Sequence, residues 1–162
     1  MKETRITSII QRFENAEELE SEDRVLLEQA RLAIEGSYAP YSRFHVGCAL
    51  RLKNGVIVKG SNQENIAFPS GLCAERVAIF SAGANYPLEQ IEAMAITARS
   101  DNTILNEPVL SCGACLQSIA EYETLQAMPI RIILQGERGE VWIAEGTKTF
   151  LPFQFEAGGL KK

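Results

Sequence analysis

The chain has 162 residues, 46% of them hydrophobic, and a formal net charge of −5, which suits one compact domain with a sizeable core. No stretch approaches the roughly 20 apolar residues that a membrane span needs, and the opening MKETRITSIIQRFENAEELESEDR lacks an apolar signal core and a small-residue cleavage site. Apart from the final Lys161-Lys162 there is no basic run. The electrostatic footprint of a nucleic-acid-binding surface is therefore missing. A cytoplasmic protein with reduced cysteines is expected, one that binds no polynucleotide and no membrane.

In chain order, residues 1–21 read as an N-terminal arm and 22–162 as the domain. From Glu22 to Gly36, Val25, Leu26, Ala30, Ala33 and Ile34 recur at helical spacing, with Gly36 as a stop. A turn-rich SYAPYSRF leads into two strands, His45 to Lys53 and Gly55 to Gly60, joined at the Asn54-Gly55 hairpin signal. SNQENIAFPSGL reads as a long loop, and a helix opens at about Cys73 and ends before Pro87. Ile91 to Ala98 is a buried strand, and a helix opens around Cys112 and runs to about Leu125. Ile130 to Gln135 and Glu140 to Ala144 are the last strands. This order predicts an α/β fold, a three-layer α/β/α sandwich around a mixed sheet of about five strands.

Cys112 and Cys115 form a C-x-x-C pair, a pattern shared by redox pairs and zinc sites. Cys73 adds a third thiol, and each half of the set falls at a predicted helix start, where backbone N–H groups and the helix dipole favour thiolate. Three thiolates converging from two helix starts would hold zinc and leave its fourth position open, as a catalytic zinc requires. Glu75 stands two residues after Cys73. Zinc deaminases combine such an unligated glutamate with H-x-E or its cysteine variant and a later P-C-x-x-C; here Cys73-Ala74-Glu75 supplies the first half and Ser111 to Cys115 the second. Cys48 lies in an apolar strand and reads as core. His45 has no cysteine at ligand spacing and is expected to hold no metal.

With these motifs in place, residues 22–155 resemble the homotetrameric, three-cysteine class of zinc-dependent cytidine deaminases. The resemblance is carried by APYSRFHVGCAL, NQENIAFPSGLCAERVAIF, CGACLQ and FLPFQF. It implies a cytidine deaminase-like fold, one Zn²⁺ per subunit held by Cys73, Cys112 and Cys115, and hydrolysis of cytidine and deoxycytidine to uridine and deoxyuridine. Glu75 would transfer the protons. By the same resemblance Phe44 would pack on the pyrimidine, Asn62 and Glu64 would bind the ribose, and the Ala74 backbone would contact the base. Phe155 would reach a neighbouring subunit's site in a homotetramer or a homodimer. Arg76 would hydrogen-bond the ligand sulfurs and offset the excess charge of three thiolates over Zn²⁺.

The chain departs from that pattern at Leu116, where arginine is usual, and at Ser111, where proline is usual. These departures keep two alternatives in view: a deaminase-fold zinc protein acting on a modified cytosine nucleoside, and a catalytically weakened binding protein. A thioredoxin-like oxidoreductase would have no use for Cys73 or Glu75.

Overall fold

The computed structural model describes residues 1–156, so the Lys161-Lys162 pair lies outside the described residues. A six-stranded mixed sheet runs in the order β1-β6-β5-β4-β2-β3. Its strands are β1 (Gln11–Phe13), β2 (Phe44–Leu52), β3 (Ile57–Ser61), β4 (Ile91–Ser100), β5 (Arg131–Gln135) and β6 (Val141–Glu145). Three α-helices accompany it: α1 (Ser21–Ala33), α2 (Ala74–Asn85) and α3 (Gly113–Gln126). A 3-10 turn at Ile34–Gly36 tightens the end of α1.

The strands alternate side chains between two faces, and the buried sets divide accordingly. Cys48, Leu50, Met94, Ile96, Ile132 and Leu134 pack with Ala78, Ile79 and Ile119 of α2 and α3. Their strand neighbours Ala49, Ala93, Ala95 and Ile133 pack with Leu26, Leu27 and Ala30 of α1. The residues facing α1 include three alanines, which lets that helix lie close to the sheet. Two helix layers over one sheet are the predicted three-layer sandwich.

The hairpin forms at Asn54-Gly55. Gly55 adopts φ +84°, which strains a residue with a Cβ, and Asn54 Oδ1 accepts the Val56 N–H at 3.0 Å. β2 and β4 pair antiparallel from Phe44↔Ser100 to Leu52↔Ile91. β4 and β5 pair parallel and are joined through α3, the crossover a parallel pair requires.

The sheet has six strands where about five were expected. The extra strand is β1, three residues of the N-terminal arm paired antiparallel with β6. Arg12 on β1 reaches Glu140 at 2.6 Å and lies 5.3 Å over the Trp142 ring. Such an edge strand is stabilised by its partner's side chains rather than by its own apolar pattern, so no alternation announced it.

Two close approaches set where α2 begins. A Cβ at Gly60 of β3 would fall 2.5 Å from both Ala74 O and Ala78 N. Glycine at this position lets the first turn of α2 rest directly on β3.

Candidate metal centre and substrate cleft

Cys73 is the residue capping the start of α2, and Cys112 takes the same position before α3. Both have extended backbone, with no side-chain cap hydrogen bond. Cys115 lies one turn into α3. The three Sγ atoms lie within 4.8 Å of one another, and Cys112 and Cys115 approach to 3.5 Å. Tetrahedral zinc with bonds of about 2.3 Å separates its sulfurs by roughly 3.8 Å, so the cluster fits that ion with a small adjustment. Cys48 is not part of it. That thiol is fully buried in the core, and burial, followed by the charge of Glu75, pushes it toward the protonated form. Three sulfurs would hold zinc and leave its fourth position for water, as a zinc site that performs chemistry needs.

The thiols do not share charge evenly. The Cys115 thiol, followed by the Arg76 guanidinium and Cys112, draws Cys73 down to about 5. Cys115 moves the opposite way, driven first by its bond to Cys73 and then by burial. Without metal, Cys73 carries the thiolate while Cys115 holds its proton, and metal binding would displace that proton. Arg76 Nη2 lies 3.9 Å from Cys73 Sγ, and the thiolate raises the guanidinium pKa further. Its Nε is buried without a partner.

Glu75 is 5% exposed. Burial pushes its carboxyl above the usual carboxylate range, with its own backbone N–H pulling the other way. A carboxyl so raised holds a proton more readily than an ordinary carboxylate does.

These groups open onto a cleft of about 830 Å³. Phe44, Asn62 and Glu64 line it together with Cys73, Glu75, Arg76 and Cys112. The side-chain amide of Asn62 braces β2, accepting from Val46 N–H and donating to Phe44 O, both at 2.8 Å. It keeps one N–H and one lone pair free of those two bonds. Glu64 Oε2 accepts the Tyr41 and Ser42 N–H groups at 2.8 and 3.3 Å. The Ser42 hydroxyl, ahead of those amides, holds its carboxyl below the ordinary value. Ala74 is fully buried at the first turn of α2.

Phe155 stands apart from this group. Its side chain is 77% exposed and it does not line the cleft of its own chain. Gln117 of α3 pins its backbone, accepting from Phe155 N–H and donating to Phe155 O, both at 3.0 Å.

Sequence reasoning missed the cleft's apolar rim. Tyr41, Phe68, Leu72, Val109 and Leu110 also line it, and Tyr41 and Phe68 meet edge to face at 5.8 Å. They sit in loops without periodicity, so only the unusual number of apolar residues there could have signalled them. His45 makes no approach to the cysteines; it contacts Ser37 and Asp101.

Comparison with known proteins matches this arrangement. The family profile described as the cytidine and deoxycytidylate deaminase zinc-binding region aligns with residues 20–129. A cytidine deaminase from Halalkalibacterium halodurans is 37% identical over 134 residues, 83% of this chain and 94% of that protein. One from Sporosarcina psychrophila is 37% identical over 121 residues, 74% of this chain and 84% of the other. The crystal structure of cytidine deaminase from Burkholderia pseudomallei superposes with a TM-score of 0.69 at 34% identity, covering 81% of this chain and 97% of that one. The matched span holds both helix starts and every cysteine of the cluster, and the chain belongs to the cytidine and deoxycytidylate deaminase zinc-binding family.

Proposed function

We infer that this chain hydrolyses cytidine and deoxycytidine to uridine and deoxyuridine, releasing ammonia, with Glu75 as the proton carrier. The observation that carries the reading is a buried carboxyl two residues from a metal-binding thiolate, facing the same cleft as Phe44, Asn62 and Glu64. Zinc held by Cys73, Cys112 and Cys115 would supply acidified water for attack at the pyrimidine C4. Glu75 would take the first proton of that water and deliver it to ring N3, then take the second from the new C4 hydroxyl and pass it to the amine as the C4–N bond breaks and ammonia leaves. Positioned transfer of this kind contributes about 10²–10⁴-fold. Phe44 covers the pyrimidine face, the Ala74 backbone contacts the base, and Asn62 and Glu64 hold the ribose hydroxyls, so that binding becomes orientation.

The cleft's charges favour a nucleoside over a nucleotide. Arg76 is the only cation among the described residues lining it, and it faces Cys73. A 5′-phosphate beyond the ribose would meet the Glu64 side of the cleft, where no lining cation compensates it.

The same reading takes the chain as a cytoplasmic homotetramer with shared sites, the exposed Phe155 ring supplied to a neighbouring subunit. No helix among the described residues is long and apolar enough to cross a membrane. Sedimentation that returns a fully active monomer would refute the shared sites.

The deciding experiment measures the ultraviolet change of cytidine-to-uridine conversion alongside zinc content. Glu75→Gln is expected to keep its zinc and lose turnover by about 10²–10⁴-fold. Zinc-loaded wild-type protein that converts neither cytidine nor deoxycytidine would overturn the assignment.

A further inference from the structure

His45 is the only histidine of the chain, and the reaction above gives it no task. Its side chain is 17% exposed, with Nε2 3.5 Å from Asp101 Oδ2 and Nδ1 2.7 Å from Ser37 Oγ. Serine, histidine and aspartate in a row is the pattern of a nucleophilic triad. The neighbouring backbone opposes that chemistry. The N–H groups of Ser37 and Tyr38 already donate to Ile34 O and Asn62 O, each at 2.9 Å, so neither is free to stabilise an oxyanion.

What the three residues join is more telling. Ser37 precedes Tyr38, which bridges to Gln63 and whose carbonyl accepts the Glu64 N–H at 2.8 Å. His45 sits on β2 between Phe44 and Val46, both of which line the cleft. Asp101 follows β4 and donates its N–H to Arg43 O at 3.1 Å. The Asn62 amide grips the same step of β2, at Phe44 O and Val46 N. His45 thus ties the segment behind Asn62 and Glu64 to the strand that carries Phe44.

We propose that His45 is a positioning residue for the nucleoside: through Ser37 and Asp101 it fixes the separation between the pyrimidine wall at Phe44 and the ribose wall at Asn62 and Glu64. This rests on the nucleoside reading given above. An imidazole protonated at Nε2 serves both contacts, since Nδ1 then accepts from the Ser37 hydroxyl while Nε2–H faces the carboxylate. Both walls hold substrate before and during reaction, so loosening their spacing removes binding common to the two states and shows in KM.

The test compares zinc-loaded wild type with His45→Ala, His45→Gln, Ser37→Ala and Asp101→Asn, and reads the lone imidazole by nitrogen NMR. In the wild type the Nε2-protonated tautomer is expected. His45→Ala should raise the KM for cytidine about tenfold with kcat within about twofold, and His45→Gln should recover part of the loss. Ser37→Ala and Asp101→Asn should each raise KM by less, and neither should add to the effect of His45→Ala. The proposal is overturned by an unmoved KM in all the single variants, by equal losses in kcat and kcat/KM with KM unmoved, or by an Nδ1-protonated ring. If the wild type turns over normally and the variants' KM does not move, the positioning role fails alone. If the wild type converts no cytosine nucleoside, the functional reading fails and the positioning role with it.

Discussion

The starts of α2 and α3 face each other across the same metal site, yet they are built from different materials. At α2 the first turn holds a buried acid, Glu75, and a cation, Arg76, beside its single cysteine. At α3 the first turn supplies two sulfurs and no charged residue, and Leu116 is buried at 5% exposure. On the proposed function, one helix delivers most of the ligands and the other the proton carrier and the charge compensation. The difference teaches that a single metal centre can divide its labour by helix, so damage to each should read out in a different quantity.

The most severe way to probe this division removes sulfurs. Cys73→Ser and Cys112→Ser should each emerge without zinc after dialysis against a chelator and lose turnover, whichever helix is hit; retained zinc in either variant would show that the cluster is not the site. The next pair should separate the helices. Arg76→Ala is expected to weaken zinc binding about 10–100-fold with little change in Tm, measured by competition with a chromogenic chelator. Leu116→Ala should instead leave zinc affinity unchanged and cost about 2–3 kcal/mol of stability in denaturant unfolding, because a buried side chain leaves a cavity. Equal effects on both quantities would dissolve the contrast. In the Arg76→Ala background, Leu116→Arg should recover roughly tenfold in zinc affinity, which would show that α3 can carry a cation beside the cluster.

The smallest effect lies in the metal-free thiols. Cys73 is drawn down to about 5, so it is thiolate above that pH and becomes thiol as the pH falls through it. Alkylation of metal-free protein should therefore strike Cys73 first at neutral pH, and its rate should fall to half at about pH 5. Cys115, pushed up by its bond to Cys73 and then by burial, should react slowly throughout. Peptide mapping of the alkylated residues decides between them.

The parts of this arrangement visible in the sequence were those with a local cause. Asn54-Gly55 forms the expected turn because glycine adopts the positive φ there. Cys73 and Cys112 stand at helix starts, where a proline-bearing irregular loop gives way to a run without proline. The alternation of β4, with Ala93 and Ala95 on one face and Met94 and Ile96 on the other, becomes interpretable only once the strand lies between two helix layers. Features with a distant cause were not visible. β1 exists through its pairing with β6. The contacts of His45 depend on Ser37 and Asp101, brought to it by a loop and by a neighbouring strand. Leu72 and Leu110 read as loop residues until the cleft they border is formed.

The close rest of α2 on Gly60 has a consequence for motion. With so little space between β3 and the backbone at Ala74 and Ala78, the first turn of α2 has no room to rock toward the sheet. Glu75 thus reaches the cleft already aimed, and on the proposed function little reorganisation would be left for proton transfer. The loops around Phe68 and Leu110, which line the same cleft, carry exposed side chains instead. If opening limits the rate of this protein, it is in those loops that the slow step should be sought.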